Sequence, residues 1–190
     1  MALARFFGFR PKKAAEKLTP EEFRDKYFQM TAEDIRTLTQ HNQPSCIIEE
    51  GNFKLYLGNI RHATDFTMIQ DLGIVYILNT AYSERDVNEE MYGPERKFLG
   101  LSMEDDSSYD ISKDFSRCIE FIKTAHAQQQ PILIHCMAGV SRSATVTIAF
   151  FMQQKKMSLE QAAEYVFQKR PIIFPNIGFI KHLMEFEKNL

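Results

Sequence analysis

The chain has 190 residues, of which 44% are hydrophobic and 25% charged, and it carries a net charge of −2. That length predicts one domain burying roughly 70% of its unfolded surface; no apolar run reaches the about 18 residues of a membrane span, and the balanced charge points to no nucleic-acid partner. Three cysteines (Cys46, Cys118, Cys136) in no paired spacing disfavour a disulfide framework or a zinc site and fit a reducing compartment.

Residues 1–20 hold Arg5, Arg10, Lys12, Lys13 and Lys17 against Glu16, a net +4 that leaves −6 for the remaining 170 residues. With Phe6, Phe7 and Phe9 among the cations, this segment is a candidate for weak membrane or partner contact, and organelle targeting through it stays open. The plainer reading is a solvated extension packing a few aromatics. Ala2 stands where N-myristoylation needs glycine, which argues against that anchor. Thr19-Pro20-Glu21-Glu22 opens a helix with acids in its first turn, and Thr31-x-x-Asp34 opens another. Residues 1–45 therefore read as a largely helical N-terminal extension, ahead of a domain over 46–190.

From Cys46 the pattern changes. Residues 46–49 and 53–58 predict two strands around a turn at Glu50-Gly51-Asn52. A helix over 62–72 closes at Gly73, and a buried strand follows over 74–78. A strand over Lys97–Met103 leads into the polar stretch Glu104–Asp110. A helix over Ile111–Gln128 has Ile111, Phe115, Cys118, Ile119 and Ile122 on one face. Pro131–His135 reads as a short apolar strand, with helices to follow near 141–155, 159–169 and 177–189. Strands alternating with helices predict an α/β fold with a central, mostly parallel sheet flanked by helices.

The chemistry concentrates at His135-Cys136-Met137-Ala138-Gly139-Val140-Ser141-Arg142-Ser143. A strand-to-loop-to-helix turn aims successive backbone N–H groups into one concavity, and the helix N-terminus adds partial positive charge. Such a place binds a phosphate dianion and favours a thiolate at Cys136. Gly139 supplies backbone freedom for the amides of Met137, Ala138, Gly139, Val140, Ser141 and Arg142 to converge. Arg142 can hold two phosphate oxygens with its planar fork. Ser143 can donate to the sulfur as it leaves, and His135 is expected to hold the loop through a backbone hydrogen bond and tune the thiolate, without acting as a base. Cys46 and Cys118 read as small apolar residues.

This stretch, HCxAGxSRS, resembles the signature of the cysteine-dependent protein phosphatases in the form used by the dual-specificity family. Leu55-Tyr56-Leu57-Gly58 with the helix after it, Arg170-Pro171, and Pro175-Asn176-x-Gly178-Phe179 with a final helix extend the resemblance over roughly 46–190. It implies a phosphatase-like fold and a general acid on a separate loop upstream. Glu104, Asp105 and Asp106 cluster there; Asp105, 31 residues before Cys136 and six before Ile111, fits the family's register, while Asp106 is one residue out. Taken without the resemblance, the same acids read as a solvated loop.

The mechanism so implied is a phosphocysteine intermediate at Cys136, protonation of the leaving oxygen by Asp105, and cradling by Arg142 and the loop amides. It needs no cofactor and no metal. Met137, Ala138 and Val140 carry no charge, which favours a phosphorylated protein over a polyphosphorylated lipid, and Ser141 departs from RNA-triphosphatase relatives. Arg85 is a candidate second-phosphate contact or a solvated loop cation. Two other readings stand beside the enzyme: a phospho-protein binding or scaffolding module with little turnover, and catalysis tethered through residues 1–20. The expected location is cytoplasmic, with the nucleus also open.

Overall fold

The computed structural model describes residues 18–29, 43–84 and 87–190. Residues 1–17, the helix expected from Thr31 and Arg85 lie outside the described residues. The elements, in chain order, are α1 (Pro20–Tyr27), β1 (Ser45–Glu50), β2 (Phe53–Gly58), α2 (Ile60–Thr64), α3 (Phe66–Asp71), β3 (Tyr76–Asn79), β4 (Lys97–Gly100), α4 (Phe115–Ala127), β5 (Ile132–His135), α5 (Arg142–Lys155), α6 (Leu159–Lys169) and α7 (Ile177–Glu187).

The five strands form one sheet in the order β1-β2-β5-β3-β4. β2, β5, β3 and β4 run parallel, and β1 closes one edge as an antiparallel hairpin partner of β2. The short apolar runs are continuous because both sheet faces are covered, and their residues divide by parity. Leu55, Leu57, Tyr76, Leu78, Ile132 and Ile134 enter the larger core under α4, α5, α6 and α7. Tyr56, Ile77 and Leu133 enter a smaller one with Ala63, Ile69 and Tyr92.

Local details depart from expectation for identifiable reasons. The helix expected over 62–72 is two, because Asn59 and Asp65 each act as an N-cap: Asp65 accepts from Met68 N at 3.0 Å and restarts the helix. The strand expected over 97–103 pairs in parallel with β3 only to Gly100, after which Leu101 N bonds back to Asn79 O, Ser102 makes an isolated antiparallel bridge with Ala81, and the chain turns toward the site. The first turn of the helix expected from Ile111 is a tight turn over Ile111–Asp114, capped by Asp110. α1 starts as expected, with Thr19 and Glu22 in a reciprocal cap. It is not peripheral: Phe23 and Phe28 are both 2% exposed in the larger core, and Arg24 lies 4.7 Å over the Phe174 ring.

Candidate active site

Four parallel strands end on the same side of the sheet, and ligands gather in α/β folds at the carboxyl ends of such strands. β2 delivers Gly58 and Asn59, β3 the segment Thr80–Glu84, β4 the segment Leu101–Asp106, and β5 the loop from Cys136 to Ser141. The loop is held from below and from both sides. Thr80 donates from its N (2.9 Å) and its Oγ1 (3.0 Å) to His135 O. Ile60 N donates to Met137 O at 3.1 Å, Arg170 Nε to Gly139 O at 2.9 Å, and Phe174 N to Val140 O at 2.9 Å. Carbonyls thus point outward into the protein, which leaves amides to face the concavity. Gly139 sits at φ 70°, and a Cβ there would come within 2.3 Å of Gly58 O, so only glycine fits.

Cys136 is 1% exposed at the base of this loop. Its sulfur accepts from Gly139 N at 3.2 Å and from Ser143 Oγ at 3.3 Å. Ser141 occupies the N-cap position of α5 but does not cap it; its Oγ donates instead to Asp105 Oδ1 at 2.7 Å. The first-turn amides of α5, at the positive end of a 14-residue helix, therefore have no cap from the Ser141 side chain.

Arg142 is 3% exposed. Its Nη1 donates to Glu84 Oε1 and to Met103 O, the latter at 3.0 Å. Its Nε is buried without a hydrogen-bond partner, with Asp105 Oδ2 at 3.5 Å. Burial opposes its charge, but Glu84, the Cys136 sulfur and Asp105 outweigh burial and raise its pKa. A second arginine, Arg170, is 2% exposed. Burial pushes its guanidinium down to about 10, with the Cys136 sulfur offsetting part of the fall, so it is still a cation at neutral pH. Two buried cations therefore flank the sulfur.

The three acids after β4 separate clearly. Asp105 lies over the loop, accepting from Ser141 Oγ and from Asn176 Nδ2 (3.0 Å) and paired with Arg142. Asp106 turns back on its own loop, where the Ser108 Oγ (2.5 Å) and Ser108 N (2.7 Å) hydrogen bonds hold its carboxyl below the usual range. Glu104 is exposed. Gly178, in the first turn of α7, lets this acid loop approach: a Cβ there would come within 1.9 Å of Ser107 O. Gly178→Ala is expected to push Asp105 off its position and to lower kcat about 10–100-fold, since a misplacement near 1 Å costs that much. The phosphate inhibition constant, which reads the cradle alone, should stay within a factor of about two. Steady-state kinetics with phosphate as competitor separates the two.

The His135 ring is fully buried beside the Cys136 backbone, and its main-chain carbonyl, accepting twice from Thr80, anchors the start of the loop. Burial drives the imidazole down to about 4, the Cys136 backbone opposing and His62 adding to the fall. A neutral ring gives the sulfur no cation. It does have a consequence for stability: the unfolded chain takes up this proton near pH 6.5 while the folded chain resists until about 4. The stability His135 contributes is full above pH 6.5 and is lost as pH falls toward 4. Between pH 7 and 4.5 the wild type should therefore lose roughly 2–3 kcal/mol more than His135→Gln in urea denaturation.

Glu84, Arg170 and Asn176 are site residues that the sequence did not single out as functional. The signals available were weak: Glu84 follows closely on a parallel strand's carboxyl end, and Arg170 and Asn176 border prolines. Cys46 lies on the edge strand, two strands from β5, and at about 4.8 Å per strand its Cα is beyond the roughly 4.4–6.8 Å a disulfide to Cys136 needs.

The dual specificity phosphatase catalytic-domain model matches residues 55–189. Dual specificity protein phosphatase 1 of Arabidopsis thaliana is 33% identical over 155 residues, covering 82% of this chain and 74% of that protein. Human dual specificity protein phosphatase 6 is 35% identical over 150 residues, covering 79% of this chain and 39% of the relative, so this chain spans well under half of that longer protein. The crystal structure of human tyrosine phosphatase-like serine/threonine/tyrosine-interacting protein superposes with a TM-score of 0.70 at 27% identity, covering 78% of this chain and 98% of the other.

Proposed function

The chain belongs to the dual-specificity phosphatase family, and on that premise we propose that it hydrolyses phosphotyrosine and phosphoserine or phosphothreonine in proteins through a phosphocysteine. The observation that carries this reading is the convergence on one loop of the Cys136 sulfur, the buried Nε of Arg142 and the Asp105 carboxyl paired with it.

The Cys136 thiolate attacks phosphorus as the bond to the leaving oxygen breaks. Asp105, as the carboxylic acid, gives its proton to that oxygen. The amides of residues 137–142 and the Arg142 fork stabilise the equatorial oxygens in the transition state. Splitting one displacement into two lowers each barrier. In the second half, the Asp105 carboxylate takes a proton from water as the water oxygen attacks phosphorus. The S–P bond breaks, inorganic phosphate leaves, and the Ser143 hydroxyl, 3.3 Å from the sulfur, stabilises the returning thiolate.

Met137, Ala138 and Val140 place no cation at the mouth, which supports a phosphoprotein substrate with one phosphate to accommodate. All three thiols are free, which supports a reducing, cytoplasmic setting. The test is hydrolysis of matched phosphotyrosyl and phosphothreonyl peptides with chelator present. Release of phosphate from both supports the reading. Tight binding of the peptides with no release would make the cradle a binding module.

A further inference from the structure

We propose that Glu84 is the positioning residue that sets the orientation of Arg142, holding one end of the guanidinium so that its other edge is open to two phosphate oxygens. An arginine fork has one side-on edge, made by Nε and the Nη2 beside it, with Nη1 at the far end. Here Nη1 is the nitrogen held twice, by the Glu84 carboxylate and by Met103 O. Nε is the nitrogen left buried with no hydrogen-bond partner. An arginine that is 97% removed from water, with a side-on edge left incomplete, is built for an anion to finish it. The group facing that edge is Asp105 Oδ2 at 3.5 Å, longer than a hydrogen bond.

Glu84 reaches the site from the short turn Tyr82–Glu84 after β3, and the turn is itself placed by bonds from Tyr82 N to Leu101 O and from Glu84 N to Ala81 O. Met103, whose carbonyl is the other holder, continues β4 on the same side. Two different strands thus grip one nitrogen. The carbonyl alone fixes a direction but supplies no charge. Removing the carboxylate leaves a buried cation with less compensation and a guanidinium able to swing. Glu84 touches no reacting atom in this arrangement; it acts through Arg142.

The experiment compares Glu84→Ala, Glu84→Gln and wild type in three readouts: calorimetric affinity for inorganic tungstate, kcat and KM for p-nitrophenyl phosphate, and melting temperature. Glu84→Gln keeps an acceptor oxygen at the same reach. Expected are a 10–100-fold loss of tungstate affinity and of kcat/KM in Glu84→Ala, recovery to within about fivefold in Glu84→Gln, and melting temperatures within a few degrees, since a charged hydrogen-bond partner is worth that range. Unchanged affinity and kinetics in Glu84→Ala would overturn the proposal. So would tighter binding, which would make Glu84 a competitor for the arginine. The kinetic arm rests on the phosphatase reading, but the tungstate arm rests on the cradle alone; a wild type that binds tungstate without turning over substrate would sink the first and leave the second to decide.

Discussion

Cys136→Ser is expected to remove turnover of p-nitrophenyl phosphate by roughly 10⁴-fold or more, as loss of a covalent nucleophile does elsewhere, while leaving tungstate affinity within a few-fold of wild type. The two outcomes follow from different parts of the structure. Affinity comes from the loop amides, the α5 N-terminus and Arg142, whose positions are fixed by Thr80, Ile60, Arg170 and Phe174 through main-chain carbonyls. None of these bonds involves the sulfur. Serine keeps the side-chain length to within a few tenths of an ångström and can still accept from Gly139 N and from the Ser143 hydroxyl. Its oxygen, however, holds its proton at any pH the protein tolerates, and His135 is buried and carbonyl-anchored below the loop. Initial rates and titration calorimetry on the same preparation would measure both. Residual turnover above about 1% of wild type would place the nucleophile elsewhere.

The same division explains which parts of the site were legible in the sequence. His135 through Ser143 is a contiguous run at a strand-to-helix junction, so its chemistry can be read from composition and order alone. Asp105 needed a second source, the acid's register implied by the family resemblance, because Glu104-Asp105-Asp106 by itself is three equivalent acids. What separates them in space is that Ser108 turns Asp106 back, while Ser141 and Asn176 hold Asp105 forward. Glu84 and Arg170 act across 58 and 31 residues of sequence, on Arg142 and on Gly139. Contacts of that kind leave no periodicity and no spacing rule; they exist only once the parallel strands have brought their carboxyl ends together. The strands themselves were legible because both faces of the sheet are buried. The split at Asp65 was not, because an aspartate inside an apolar period reads as a solvent-facing helical residue until its cap on Met68 is seen.

Asp105→Asn is expected to lower kcat about 10²–10³-fold on phosphotyrosyl peptide and clearly less on p-nitrophenyl phosphate, because general acid catalysis contributes in that range and matters most for a poor leaving group. Tyrosine leaves as a strongly basic phenolate unless protonated, whereas p-nitrophenol is a far stronger acid and departs with less help. A merely electrostatic or structural role for Asp105 would lower both substrates by one factor. Asp105 sits beside Arg142 Nε, within reach of a phosphate held by that arginine. Asp106→Asn should leave the rate within about twofold, since that carboxylate is held ionised by Ser108 and faces solvent. A larger loss at Asp106 than at Asp105 would reassign the acid, and with it the role of Ser141 and Asn176 in presenting it.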